Sequence, residues 1–296
     1  MMETESVPGV MALANMMNGG AFHTSFSSPD ADVILGAKDH TLFRIHSWTL
    51  KTTSGWFRSL FSMPQRSSSP NHPETINLDE DSRTLESLLL MICGLPINPL
   101  ISYDEVDALL FAAEKYEMPG PISLVRVLIM TPPLLGQPLR LYAAATRCGW
   151  EEEAKHASSQ SLALNIYAPE YQPILRKLHT GAVLDLLNLH RDRREGIRKR
   201  LDEQPFVTGT TMLSCPRCRC KIDHHTWREL KYRVVMEMDV RPLGDTIVDV
   251  GLTDWPEAIA CWDAKCPNAE CTCLLYDKVE SLRLIRDCIN SLPKTT

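Results

Sequence analysis

The sequence predicts an α+β chain: a small sheet flanked by helices, then a helical extension, then a Cys-rich C-terminal module of mixed α/β character. Three observations carry this prediction. Between Phe43 and Phe61 the hydrophobic period switches from that of a strand to that of a helix. From Pro121 to about Leu201 the pattern is helical throughout, with short connections. After Gln204-Pro205-Phe206 the composition changes, and most of the ten cysteines lie beyond that point.

Residues 1–27 read as a flexible tail, because small, polar and Gly residues alternate there without a sustained period. Asp32-Val33-Ile34-Leu35 is a strand, turned back through Gly36–His40 into a second strand over Thr41–Ile45. Phe43 and Ile45 alternate with polar residues, as a half-buried strand requires. Ser54 then stands as a helix N-cap ahead of Phe57, Leu60 and Phe61, spaced as one helical face. The Pro- and Ser-rich stretch Met63–Pro73 is a surface loop, and Thr75–Leu78 a short strand.

Asp79, Glu80 and Asp81 precede a helix that buries Leu85, Leu88, Leu89 and Ile92 and ends at Gly94 and Pro96. Ser102-Tyr103-Asp104-Glu105 has capping-box spacing and opens a helix burying Val106, Leu109, Leu110 and Ala113. Further helices are expected from Pro138 to Gly149, over Glu151–Leu164, near Glu170–His179 and over Gly181–Arg200. Trp227 to Val235 is ambiguous in period, and Val279 to Ile289 is a final helix.

The domain boundaries that follow are 1–27 for the tail, 28–120 for the first domain, 121–203 for the helical extension and 204–296 for the Cys-rich module. The net charge of −6 gives no footprint for phosphate, so no nucleic-acid partner is expected. No apolar run approaches the roughly 18 residues of a membrane span, and the acidic N-terminus is unlike a signal peptide. The expectation is an intracellular protein, cytoplasmic or nuclear, whose cysteines are reduced.

The segment Phe43 to Phe61, with His46, Leu50 and Ser54-Gly55-Trp56-Phe57, resembles the core motif of the BTB/POZ domain. The resemblance extends in order through Asp32–Leu35, Ile76–Leu78, Leu85–Ile92 and Val106–Tyr116. Ser82–Leu89, Glu114-Lys115-Tyr116-Glu117-Met118 and Pro138–Ala145 are similar to the BTB family abundant in mushroom-forming (basidiomycete) fungi. Two positions depart from the family. Ser47 stands where the family commonly has Lys or Arg, a basic residue that joins Asp32 in a polar site at the dimer seam, so that charge pair is missing here. Thr49 stands where an aliphatic residue is usual.

The resemblance implies a non-enzymatic protein-interaction protein, acting as a self-associating homodimer or an adaptor scaffold. Its interface candidates are Asp32, His46, Trp48 and Trp56. For Asp32 and His46 the residues themselves favour a structural role, and for the two tryptophans core packing stays open beside an anchoring role. The alternative is a substrate adaptor of a cullin-type ubiquitin ligase. Relatives that recruit cullin carry a hydrophobic-x-Glu element in the loop occupied here by His72-Pro73-Glu74, which makes Glu74 the candidate contact.

Cys215-Pro216-Arg217-Cys218 has the spacing with which two thiolates grip one tetrahedral ion. With Cys261 and Cys266 it makes a candidate structural zinc site. Cys220, Cys271, Cys273, His224 and His225 stand nearby as further ligands, and metal-free thiols remain the other reading. A second alternative is a thiol oxidoreductase using Cys215 and Cys218, which needs a long amphipathic helix directly after the motif. The basic run His190–Arg200 is interrupted by acidic residues and reads as the solvated face of a helix, with nuclear import as its other reading.

Overall fold

The central strand β1 (Val33–Gly36) is buried along its whole length, because it is paired on both edges. It runs antiparallel to β2 (Leu42–Ile45), with Val33 opposite Ile45, and parallel to β3 (Thr75–Asn77), with Leu35 opposite Ile76. The computed structural model describes residues 20–63, 75–132, 134–207 and 214–296. It divides into two units, Met1–Gly136 and Gln137–Thr296.

In the first unit, β2 leads into two short helices, α1 (Ser47–Thr53) and α2 (Gly55–Ser62). After β3 come α3 (Ser82–Cys93), α4 (Tyr103–Lys115) and α5 (Pro119–Leu128). Asp81 caps α3 by accepting the Thr84 amide, and Gly94 closes it at a φ of 66°, a left-handed turn that favours glycine. Ser102 caps α4 through the Glu105 amide, but Glu105 returns its carboxylate to the Ile101 amide and not to that of Ser102. Leu35, Phe43, Leu50, Phe57, Leu88 and Leu110 form the core against which these helices pack.

The expected tail differs from the structure at its end. Residues 21–26 lie along β2, where the Leu42 amide donates to the Ala21 carbonyl, the His23 amide to the Leu42 carbonyl and the Arg44 amide to the Phe26 carbonyl. Phe26 is buried there. Ala21, Phe22 and Phe26 make no sustained strand or helix period, so the pattern could not register this pairing.

In the second unit, α6 (Pro138–Cys148) and α7 (Glu151–Ser161) form a hairpin turned at Gly149, whose φ is 69°. α8 (Gln172–Leu175) is a single turn, and α9 (Thr180–Leu201) is the longest helix described. There follow α10 (His225–Val240), α11 (Leu252–Asp254), α12 (Pro256–Trp262) and α13 (Lys278–Asn290). α7 stops short of the expected Leu164 because Leu162, Ala163 and Leu164 bond the carbonyls three residues back, which tightens the chain out of the α-helix. The segment of ambiguous period resolves as α10, which buries Trp227, Leu230, Val234 and Met238 against α9 and α12.

The basic run on α9 is not solvated throughout. His190 and Arg193 are buried. The Arg193 guanidinium donates to the carbonyls of Pro242 at 2.7 Å, Leu243 at 3.1 Å and Pro293 at 2.6 Å, with a longer bond to Leu292. Those carbonyls come from two chain segments distant in sequence, so a charge pattern along α9 could not announce them. Among the described residues, no helix is long and apolar enough to cross a membrane.

Candidate interaction face and thiolate centre

At the start of α1 the chain turns from strand to helix with His46 at the N-cap position, exposed and making no side-chain cap. The capping work is done across the sheet. Asp32 accepts the Ser47 amide at 2.7 Å and the Ser47 hydroxyl at 2.6 Å. Partial desolvation would raise the Asp32 carboxyl, but these two bonds, with His46 nearby, hold it below its ordinary value. Ser47 thus satisfies Asp32 without the basic residue common at its position.

The two tryptophans separate. Trp48, one position into α1, is 74% exposed. Trp56, in the first turn of α2, is half-buried, with its ring edge-on to Phe57 at 4.7 Å and to Tyr116 at 5.2 Å. Trp56 therefore packs against the core through Phe57 and Tyr116, and Trp48 lies on the surface. Glu74 lies outside the described residues.

The geometry around Asp32, His46, Trp48 and Trp56 belongs to one recognisable module. Residues 22–131 match the BTB/POZ domain. No curated protein matches the chain. The BTB domain is a protein–protein interaction module, and the first unit holds the whole of the matched segment.

The second unit carries the chemistry. Two tight hairpins face each other. In the first, Ser214 pairs antiparallel with Lys221, the Cys215 amide donates to the Cys220 carbonyl, and Arg219 turns the chain at a φ of 61°. In the second, Lys265 pairs with Leu274, the Cys266 amide donates to the Cys273 carbonyl, and the Cys271 amide donates to the Asn268 carbonyl. The sulfurs of Cys215, Cys218, Cys266 and Cys271 all lie within 4.8 Å of one another. Cys218 and Cys266 are 3.3 Å apart, Cys215 and Cys271 3.8 Å. Four thiolates at ~2.3 Å from a tetrahedral ion stand ~3.8 Å apart, so the donor set fits a soft divalent metal. All ten cysteines are free thiols.

Backbone amides prepare the first hairpin for negative charge. The N–H groups of Cys218 and Arg217 draw the Cys215 thiol down to about 6, and that of Cys220 lowers Cys218. In the second hairpin the Asn268 amide acts in the same direction on Cys266. Desolvation and the neighbouring sulfurs outweigh it and push that thiol up to about 12.

Of the four ligands expected from spacing, the structure brings Cys215, Cys218 and Cys266 together and leaves Cys261 out. Cys261 lies on α12 in the hydrophobic core beside Trp262 and Leu252, where burial pushes its thiol up to about 12. Cys271 stands in the site in its place. Cys273 joins the rim, 3.4 Å from Cys215. His224 turns instead to the Tyr276 hydroxyl, 2.9 Å away, and His225 is exposed. The Cys215–Cys218 motif closes a hairpin, and the next helix, α10, begins only at His225, so among the described residues none opens directly after the motif, where a redox motif of this type has one.

Proposed function

We propose that this chain is a protein-interaction protein that pairs with a second copy of itself through the BTB domain, with the α1 face at the seam. The supporting observation is the exposure of Trp48 beside the Asp32–Ser47 pair. Trp is the residue type that most often anchors an interface, Trp48 stands beside the Asp32–Ser47 pair on the domain's matched segment, and a two-fold partner would supply the same face in return. Light scattering on the full chain at micromolar concentration tests this reading. A dimer that Trp48→Ala converts to monomer is expected, and a monomeric wild type overturns it.

The C-terminal module serves this function as a rigid platform, held by a structural zinc on Cys215, Cys218, Cys266 and Cys271. The convergence of these four sulfurs supports it. A bound ion would cross-link two hairpins some fifty residues apart in sequence, supplying stability that a short segment lacks. Metal analysis of freshly purified protein should find one zinc per chain. A metal-free protein with unchanged thermal stability would exclude it.

A further inference from the structure

One face of α10 is left over once its core face is packed. Opposite the buried Trp227, Leu230, Val234 and Met238, the residues Tyr232, Met236 and Val240 recur at four-residue spacing, 68%, 47% and 51% exposed. Single exposed apolar residues need no explanation, whereas a three-membered stripe along one helix face calls for a partner. Beside it opens a groove of about 480 Å³, lined by Glu229, Tyr232, Arg233 and Met236 of α10 and by Glu257 of α12. That volume falls within the range of peptide- and ligand-sized sites.

The charges of the groove select its occupant. Arg233 is already engaged: its guanidinium lies 4.5 Å over the Trp255 ring and pairs with Glu237 at 3.3 Å. Glu229 and Glu257 have no ion pair among the described residues, so the groove offers two uncompensated carboxylates beside the apolar surface of Tyr232 and Met236. A second copy meeting this face across a two-fold axis would bring the same carboxylates together, and nucleic acid or an anionic membrane would be repelled outright. We infer that this groove binds a short segment of another protein in which Lys or Arg flanks an aromatic or aliphatic side chain. Tyr232 supplies a rigid amphipathic contact, and Met236 an adaptable one. The inference rests on the interaction reading above only in taking protein as the ligand class, and it places client binding in the second unit, apart from the BTB domain.

Selection of a random-peptide display library on the full-length protein tests it, with one enriched peptide then measured by fluorescence polarisation. Enriched sequences should pair a basic residue with an apolar one. The double variant Glu229→Lys/Glu257→Lys should weaken binding at least tenfold, and Tyr232→Ala should weaken it too. All three substituted positions are away from the core, and a circular-dichroism melt on each variant verifies folding. No enrichment, enrichment of peptides without basic residues, or affinity indifferent to the charge reversal overturns the proposal. Light scattering on the same samples keeps the two readings apart: a dimer that selects no such peptide fails this inference alone.

Discussion

The Ser54 hydroxyl donates to the Tyr116 carbonyl at 2.6 Å across 62 positions of sequence, while its oxygen accepts the Phe57 amide at 3.0 Å. One buried side chain therefore caps α2 and ties it to the end of α4. Around it, Phe57 and Tyr116 stack at 5.6 Å, and the Gly55 amide donates to the Glu117 carbonyl. The sequence pattern places Ser54 as a cap, and the structure adds that the same atom locks two distant helices.

Ser54→Ala should therefore cost more than an ordinary cap. Loss of the capping bond is worth ~1 kcal/mol, and the buried Tyr116 carbonyl left without its donor adds ~1–2 kcal/mol. A total of ~2–3 kcal/mol should appear as an earlier urea midpoint with unchanged slope. A variant within ~0.5 kcal/mol of wild type would show that the hydroxyl is replaceable.

His190 gives the second unit a pH dependence. Ser161 spends its hydroxyl proton on the Ser158 carbonyl, so its oxygen accepts from His190 Nε2–H at 3.1 Å. Burial, with the Arg193 charge beside it, depresses the folded pKa from 6.5 to about 4. A depressed histidine is protonated first in the unfolded chain, so its contribution is full above pH ~6.5 and is lost as pH falls toward 4. The loss should reach ~3 kcal/mol. Melting curves of wild type and His190→Gln between pH 7 and 4 should converge as pH falls; parallel curves would remove His190 as the cause.

Arg193 marks where the sequence stopped being legible. The alternation of apolar and polar residues around Phe43–Phe61 and the caps at Ser54, Asp81 and Ser102 are local, and local signals set those elements. The run His190–Arg200 looks solvated because six of its residues are basic, yet Arg193 is one turn from His190 on the inward face of α9. What buries it is a set of carbonyls at Pro242, Leu243 and Pro293. Main-chain acceptors carry no signature in side-chain chemistry, so they could not be read in advance.

Arg193→Met should destabilise the second unit by ~3 kcal/mol, because it keeps the volume but strands buried acceptors. Arg193→Lys should recover less than half of that, since one ammonium cannot reproduce the planar fork. Urea titrations of both variants give the answer. If the Lys variant instead matches wild type, the charge matters and the fork geometry does not.

The thiolate centre offers the sharpest contrast between spacing and fold. Along the chain, Cys261 and Cys266 are as good a second pair as Cys266 and Cys271, because both leave the same gap. The helix decides between them: α12 turns Cys261 toward Leu252 and Trp262, while the hairpin after it brings Cys271 within reach of Cys215. Cys271→Ser should therefore abolish metal retention and lower the melting temperature to that of chelator-treated wild type. Cys261→Ser should retain a full complement of metal and lose only what a buried thiol contributes to packing, ~1 kcal/mol. Cys273→Ser, which removes a thiol from the rim but not from the four, should also retain metal. Metal content measured on all three variants separates the cases, and loss of metal in Cys261→Ser would place the centre elsewhere.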